Sequence, residues 1–154
     1  MSSRHGLRIV PNAGYLGKLA LVAAAYFASA KAGLEFASTN QSVTSVWPPT
    51  GLALAVLVMW GYRMWPAVAV GAFLANITTA GPLPSVLGIA TGNTLEALAG
   101  AYLLNRVGFR PALDRVRDVV ALVVCGALLS TTISATAVRT EYNAILNRAS
   151  FVRA

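Results

Sequence analysis

Five runs of apolar residues, separated by short polar or Pro/Gly-rich stretches, dominate the sequence. An α-helix rises about 1.5 Å per residue, so about 20 apolar residues cross the roughly 30 Å of hydrocarbon in a bilayer. The first, fourth and fifth runs are long enough to do so. The pattern predicts an all-α fold, a polytopic transmembrane helical bundle with about five membrane segments. The runs are 19–36, 51–62, 66–79, 84–107 and 119–138.

Two of these runs are too short to span a bilayer as straight helices. Runs 51–62 and 66–79 would be about 18 and 21 Å long as helices. Both have Pro or Gly at their ends, which is typical of helices that begin or end inside a membrane, against protein rather than lipid. We therefore expect one or two segments to be short or broken.

The segment Trp47-Pro48-Pro49 directly precedes the first short run. Proline fixes its own φ and pushes the preceding residue to an extended conformation, so we expect this segment to be non-helical. A helix that begins after it could present free backbone N–H groups and a positive dipole end to an anionic or carbonyl-bearing ligand. Alternatively, Trp47 belongs to an aromatic belt at the membrane interface.

Composition supports a membrane protein over a soluble one. Of the 154 residues, 56% are hydrophobic and 11% are charged, whereas a soluble domain is about 25% charged. The length suits one domain. The net charge of +7 would suggest nucleic acid as a partner of a soluble protein.

The basic residues, however, alternate between loops. Loop 37–50 and turn 79–84 contain no Lys or Arg. By the positive-inside rule, the chain is a multi-pass membrane protein with its N-terminus in the cytoplasm. The charge is thereby explained without nucleic acid. The basic residues of the other loops are Arg4, Arg8, Lys18, Arg63, Arg106, Arg110, Arg115 and Arg117.

The same reasoning divides the chain into a cytoplasmic tail (1–18), a membrane-embedded domain (19–138) and an atypical C-terminal tail (139–154). Five spans from an inside N-terminus place the last tail outside, yet it carries Arg139, Arg148 and Arg153. We therefore expect an incomplete, truncated domain.

Polar side chains within membrane segments are costly and mark candidate sites. Lys31 and Glu35 are four residues apart on one face of the first helix, as either a structural ion pair or a ligand-facing pair. Asn93 and Glu96 share a face of the fourth segment, and Asn76 ends the third. Hydrogen bonding between helices is the structural alternative for these three residues.

The functional hypothesis is a ligand-binding polar site in the outer half of the bundle. Asn93 and Glu96 lie roughly 14 and 18 Å down their helix from Pro84, near mid-membrane, and would form its floor. Lys31 and Glu35 would form one wall. Apolar walls with a few convergent polar groups are typical of small-molecule sites. The lining residues would be Trp47, Asn76, Asn93 and Glu96.

The sequence contains no catalytic motif. It has no nucleophile elbow, no phosphate-binding glycine loop and no metal-ligand cluster, and its single Cys125 lies in an apolar run. We therefore expect no enzymatic activity, no cofactor and no metal.

Several motifs occur in a characteristic order. They are VWPPTG (46–51), GYRMWP (61–66), GAFLAN (71–76), GNTLEA (92–97) and the basic loop that ends at Arg117-Asp118. Together they resemble the first membrane-associated sensor domain family (MASE type) of bacterial signalling proteins, from about Tyr26 to about Thr136. The resemblance implies an inner-membrane input domain that binds a small-molecule signal.

In that family the input domain usually precedes a cytoplasmic histidine kinase or diguanylate cyclase, acting in two-component or cyclic-di-GMP signalling. Dimerisation would occur through this output module. This chain departs from the pattern by ending early, which predicts a truncated copy. Two alternatives remain: a small-solute transporter or substrate-binding membrane subunit, and a non-functional remnant.

Overall fold

The computed structural model describes residues 13–40, 47–79, 82–129 and Thr132. Within these ranges the chain is almost entirely helical and contains no strand, which confirms the all-α prediction. The fifth helix continues directly into a π-helix, Leu122–Leu129. The helices are α1 (Ala13–Asn40), α2 (Pro48–Trp60), α3 (Trp65–Ile77), α4 (Leu83–Arg106) and α5 (Val116–Ala121).

The helices differ in their ability to cross a bilayer. Within the described residues, only Ala13–Phe36 in α1 is both long and apolar enough for a clear membrane span, and α2 is a shorter apolar helix of 13 residues. A short helix next to Pro48-Pro49 agrees with the sequence prediction. The fifth predicted segment is described only as far as residue 129 and at Thr132, and the tails 1–12 and 139–154 lie outside the described residues.

The start of α2 corrects one expectation. Trp47 is extended, with φ −100° and ψ 99°, but Pro48 and Pro49 already form the first turn of the helix. Proline is tolerated there because the first-turn N–H groups have no intrahelical acceptor and the fixed φ suits a helix. The expectation that all three residues are non-helical was therefore wrong for the two prolines.

A tight turn reverses the chain between α2 and α3. Gly61 has φ +86°, a left-handed conformation that glycine adopts without a Cβ clash. A 3₁₀ turn, Tyr62–Met64, follows it. The hydroxyl of Tyr15 near the start of α1 donates to the Arg63 carbonyl at 2.6 Å. The turn therefore lies beside the first residues of α1.

Small residues line the contacts between helices. Helix α1 packs against α3 and α2, while α4 packs against α3, α2 and the π-helix. Four glycines of α3 and α4 are buried: Gly71, Gly88, Gly92 and Gly100. Such residues allow close backbone approach, which matters in lipid because apolar burial gives little drive for helix association. Many large apolar side chains remain exposed on the outer surface, including Leu21, Met59, Val70 and Leu87.

Candidate functional site

Three polar side chains, one from α1 and two from α4, lie near one another in the core. Tyr26 of α1 is 1% exposed and Glu96 of α4 is 6% exposed, while Asn93 is half-buried. The Tyr26 hydroxyl lies near the Asn93 amide and the Glu96 carboxylate. We call Tyr26, Asn93 and Glu96 the polar cluster.

The Tyr26 hydroxyl is buried without a hydrogen bond of good geometry among the described residues. The Asn93 side chain of α4 is its polar neighbour. Buried polar groups are nearly always satisfied, so an exception calls for an explanation. By contrast, Thr94 in the same helix is buried but donates to the Ala90 carbonyl at 2.7 Å.

Gly71 of α3 allows Tyr26 to reach this position. A Cβ at residue 71 would lie 2.8 Å from the Tyr26 Cβ and 3.1 Å from the Ala23 carbonyl oxygen. Both distances are shorter than normal carbon contacts. The motif GAFLAN therefore has a structural reason for its glycine: it brings α1 and α3 close at the level of the polar cluster.

The predicted site residues separate into two groups. Asn93 and Glu96 come together in the polar cluster, as their shared helix face indicated. Trp47 instead packs over Gly33 of α1, where a Cβ would meet its ring at 3.3 Å. Asn76 donates to the Ala72 carbonyl of its own helix at 2.7 Å, so one of its amide hydrogens is already used.

Lys31 and Glu35 lie farther along α1. The Lys31 ammonium donates to the Thr78 carbonyl at the end of α3 at 3.3 Å and lies 5.6 Å from the Phe27 ring centroid. Glu35, one turn later, is exposed. Lys31 therefore ties α1 to the end of α3, which is a structural role that sequence spacing alone did not indicate.

The start of α2 offers few free N–H groups to an anion. Two of its first three residues are prolines, which have no N–H, and the Thr50 N–H donates to the Trp47 carbonyl at 3.2 Å. An anion site at this helix start would therefore have fewer N–H donors than the sequence suggested. Trp47 itself packs against Gly33 of α1.

Tyr26 was not among the predicted site residues. A tyrosine within an apolar run looks like a packing residue, and its burial next to Glu96 depends on the close approach of α1 and α3 at Gly71. The available signal was the glycine that opens GAFLAN, because a small residue in a membrane helix marks a close contact.

Replacing Tyr26 by Phe is expected to leave the free energy of unfolding unchanged or to raise it by up to about 1 kcal/mol, because the change removes a buried hydroxyl that makes no good hydrogen bond. A hydroxyl acting as a structural link between helices would instead cost about 0.6 kcal/mol on removal. Reversible unfolding in mixed micelles measures the difference.

Tyr15→Phe is the matched control. It removes a hydroxyl that donates at 2.6 Å to the Arg63 carbonyl, so we expect a loss of about 0.5–1 kcal/mol. A loss at Tyr26 as large as the loss at Tyr15 would contradict the assignment of an unpartnered hydroxyl.

Cationic side chains collect at one end of the described bundle. Asn105 at the end of α4 donates to the Tyr62 hydroxyl in the α2–α3 turn at 2.9 Å, which places these two ends side by side. Asp118 is 1% exposed and accepts a hydrogen bond from the Arg110 N–H at 3.3 Å. This bond holds the loop between α4 and α5 in place. The basic residues at this end are Lys18, Arg63, Arg106, Arg110, Arg115 and Arg117.

A helical bundle with small residues at its contacts, apolar outer surfaces and a polar cluster inside defines the class of integral membrane helical domains. Residues 18–140 match the family model MASE1. The chain therefore belongs to the MASE1 family, the membrane-associated sensor domains of signalling proteins. No curated protein and no solved structure matches the chain.

Proposed function

We propose that this chain is the inner-membrane input domain of a bacterial signalling protein and that the polar cluster binds its small-molecule signal. One observation carries the proposal: among the described residues the buried Tyr26 hydroxyl has no hydrogen-bond partner, and it lies near the half-buried Asn93 amide and the buried Glu96 carboxylate. A ligand that supplies the missing partner would gain a hydrogen bond in a low-dielectric environment.

The chemistry of the cluster favours a neutral or cationic ligand with hydrogen-bond donors. Glu96 supplies a carboxylate, and Tyr26 and Asn93 can both donate and accept. An anion is disfavoured, because it would meet Glu96 and find few N–H donors at the start of α2, where two of the first three residues are prolines. Trp47, Asn76, Lys31 and Glu35 would line the outer approach to the cluster.

Signalling requires the ligand to bind two helix arrangements with different affinity. The cluster connects α1 to α4, and Gly71 connects α1 to α3, so a ligand between α1 and α4 would bias both contacts. Typical coupling free energies are about 1–3 kcal/mol. The output would be a histidine kinase or diguanylate cyclase that dimerises through its own module. The input domain itself would catalyse no reaction and need no cofactor.

A transporter is the competing function, because polar groups within membrane helices serve solute pathways as well. The test uses the whole chain in sealed liposomes and compounds that raise its melting temperature. A sensor is expected to bind them without moving them, so uptake should equal that of empty liposomes. Saturable uptake that disappears with Asn93→Leu would contradict the proposed sensor function and support a transporter.

A further inference from the structure

An open cleft of about 450 Å³ lies at the cationic end of the bundle. It is formed by the start of α1, the end of α2 and the turn before α3. It is separate from the polar cluster and shares no residue with it. The cleft is lined by Gly14, Tyr15, Lys18, Trp60, Arg63 and Met64.

Two of these side chains are cations and none is acidic. Gly14, Tyr15 and Lys18 share one face of α1, since residues three and four apart are neighbours on a helix. Gly14 lies beside open space, since a Cβ there would meet nothing within 4 Å.

The Arg63 guanidinium is held in a defined place. It lies 5.5 Å from the Tyr15 ring centroid, and the Tyr15 hydroxyl anchors the Arg63 backbone at 2.6 Å. Stacking of this kind leaves the guanidinium N–H donors free at the edge, where they suit the oxygens of a phosphate. Lys18, an exposed side chain, adds a second positive charge.

The surroundings are those of a membrane–water interface. Trp60, Tyr62 and Trp65, each between 41% and 49% exposed, flank the turn, and such aromatic residues concentrate at headgroup level. Met59, 66% exposed, directly precedes Trp60. A ligand in the cleft would thus have phosphate partners on one side and apolar side chains next to it.

We propose that this cleft binds the phosphate group of an anionic phospholipid headgroup. Basic pockets between membrane helices on the cytoplasmic side are suited to such headgroups. The lipid, rather than a free phosphate, is favoured because the cleft opens between interfacial aromatic residues. Its occupation would bridge α1 to the α2–α3 turn, which is already fastened by the Tyr15–Arg63 hydrogen bond.

The experiment measures which lipid contacts Trp60. The chain has three tryptophans, so a Trp47→Phe/Trp65→Phe variant retains only Trp60 in the cleft. Quenching of its fluorescence by brominated phosphatidylglycerol is compared with quenching by brominated phosphatidylcholine in mixed bilayers. We expect phosphatidylglycerol to bind at least fivefold more strongly, and each removed cation to weaken this preference about fivefold.

The decisive variant is Lys18→Gln/Arg63→Gln, which should abolish the preference for phosphatidylglycerol. Its control is Arg115→Gln/Arg117→Gln, which removes the same charge outside the cleft and should retain most of that preference. Lys18→Gln alone, a change at an exposed side chain, should show the fivefold loss even if the double variant is unstable. A Trp47→Phe/Trp60→Phe variant reports from Trp65 outside the cleft and should show a weaker preference.

Two results would overturn the proposal. If both double variants lost the preference for phosphatidylglycerol equally, the preference would depend on the overall charge of the protein rather than on the cleft. A saturable change in Trp60 fluorescence on adding millimolar inorganic phosphate to phosphatidylcholine bilayers would assign the cleft to a free phosphate instead of a lipid.

Discussion

Gly71→Ala is expected to destabilise the bundle by about 1–3 kcal/mol, as overpacking a close contact does, and Gly71→Val by more. The added Cβ would lie 2.8 Å from the Tyr26 Cβ and 3.1 Å from the Ala23 carbonyl oxygen. Neither is the far end of a flexible side chain, so α1 and α3 must separate. Reversible unfolding in mixed micelles gives the free energy.

Gly17→Ala is the control for this substitution. Gly17 is also helical, but a Cβ there would meet nothing within 4 Å. Because alanine favours a helix over glycine by up to about 1 kcal/mol, this variant is expected to be as stable as the parent or more stable. If Gly71→Ala proved equally harmless, the close approach of α1 and α3 would be wrong.

Cysteine labelling is expected to give an all-or-none difference between the two ends of the bundle. A Cys125→Ala background removes the single native thiol. Thr79→Cys, at the exposed end of α3, should react with an impermeant maleimide added to intact cells. Val116→Cys, 81% exposed beside the basic loop, should react only after the inner membrane is permeabilised.

The expected difference in labelling between the two ends follows from the distribution of charge. Lys and Arg are retained on the cytoplasmic side of membrane proteins, and the described bundle has six such residues at the end that includes Val116. Labelling of Val116→Cys in intact cells, with Thr79→Cys protected, would reverse the proposed orientation. Equal labelling of both would contradict a membrane-spanning arrangement.

The helices could largely be predicted from apolar runs, because a membrane segment differs from its flanks in composition as well as periodicity. Their ends were less predictable. Helix α1 begins at Ala13 rather than Leu19, since the polar residue Lys18 can extend a helix into the interface. Pro48 and Pro49 begin α2 instead of preceding it, because a first turn accommodates proline.

The candidate site was only half predictable. Asn93 and Glu96 could be paired from their spacing on one helix. Tyr26 could not, because its neighbours Asn93 and Glu96 lie on another helix and its position depends on the absence of a side chain at Gly71. Likewise, the hydrogen bond from Lys31 to Thr78 joins residues 47 apart in sequence. Contacts between helices depend on packing geometry, which spacing within one helix does not contain.

The most direct test of the central claim is a melting-temperature screen of the purified chain in nanodiscs against amino acids, polyamines, polyols and nucleosides. We predict that at least one neutral or cationic compound raises the melting temperature. That shift should be lost with Tyr26→Phe, Asn93→Leu and Glu96→Gln but retained with Gly17→Ala. A ligand-induced shift that persists in all three cluster variants, each folded, would contradict a signal site at the polar cluster.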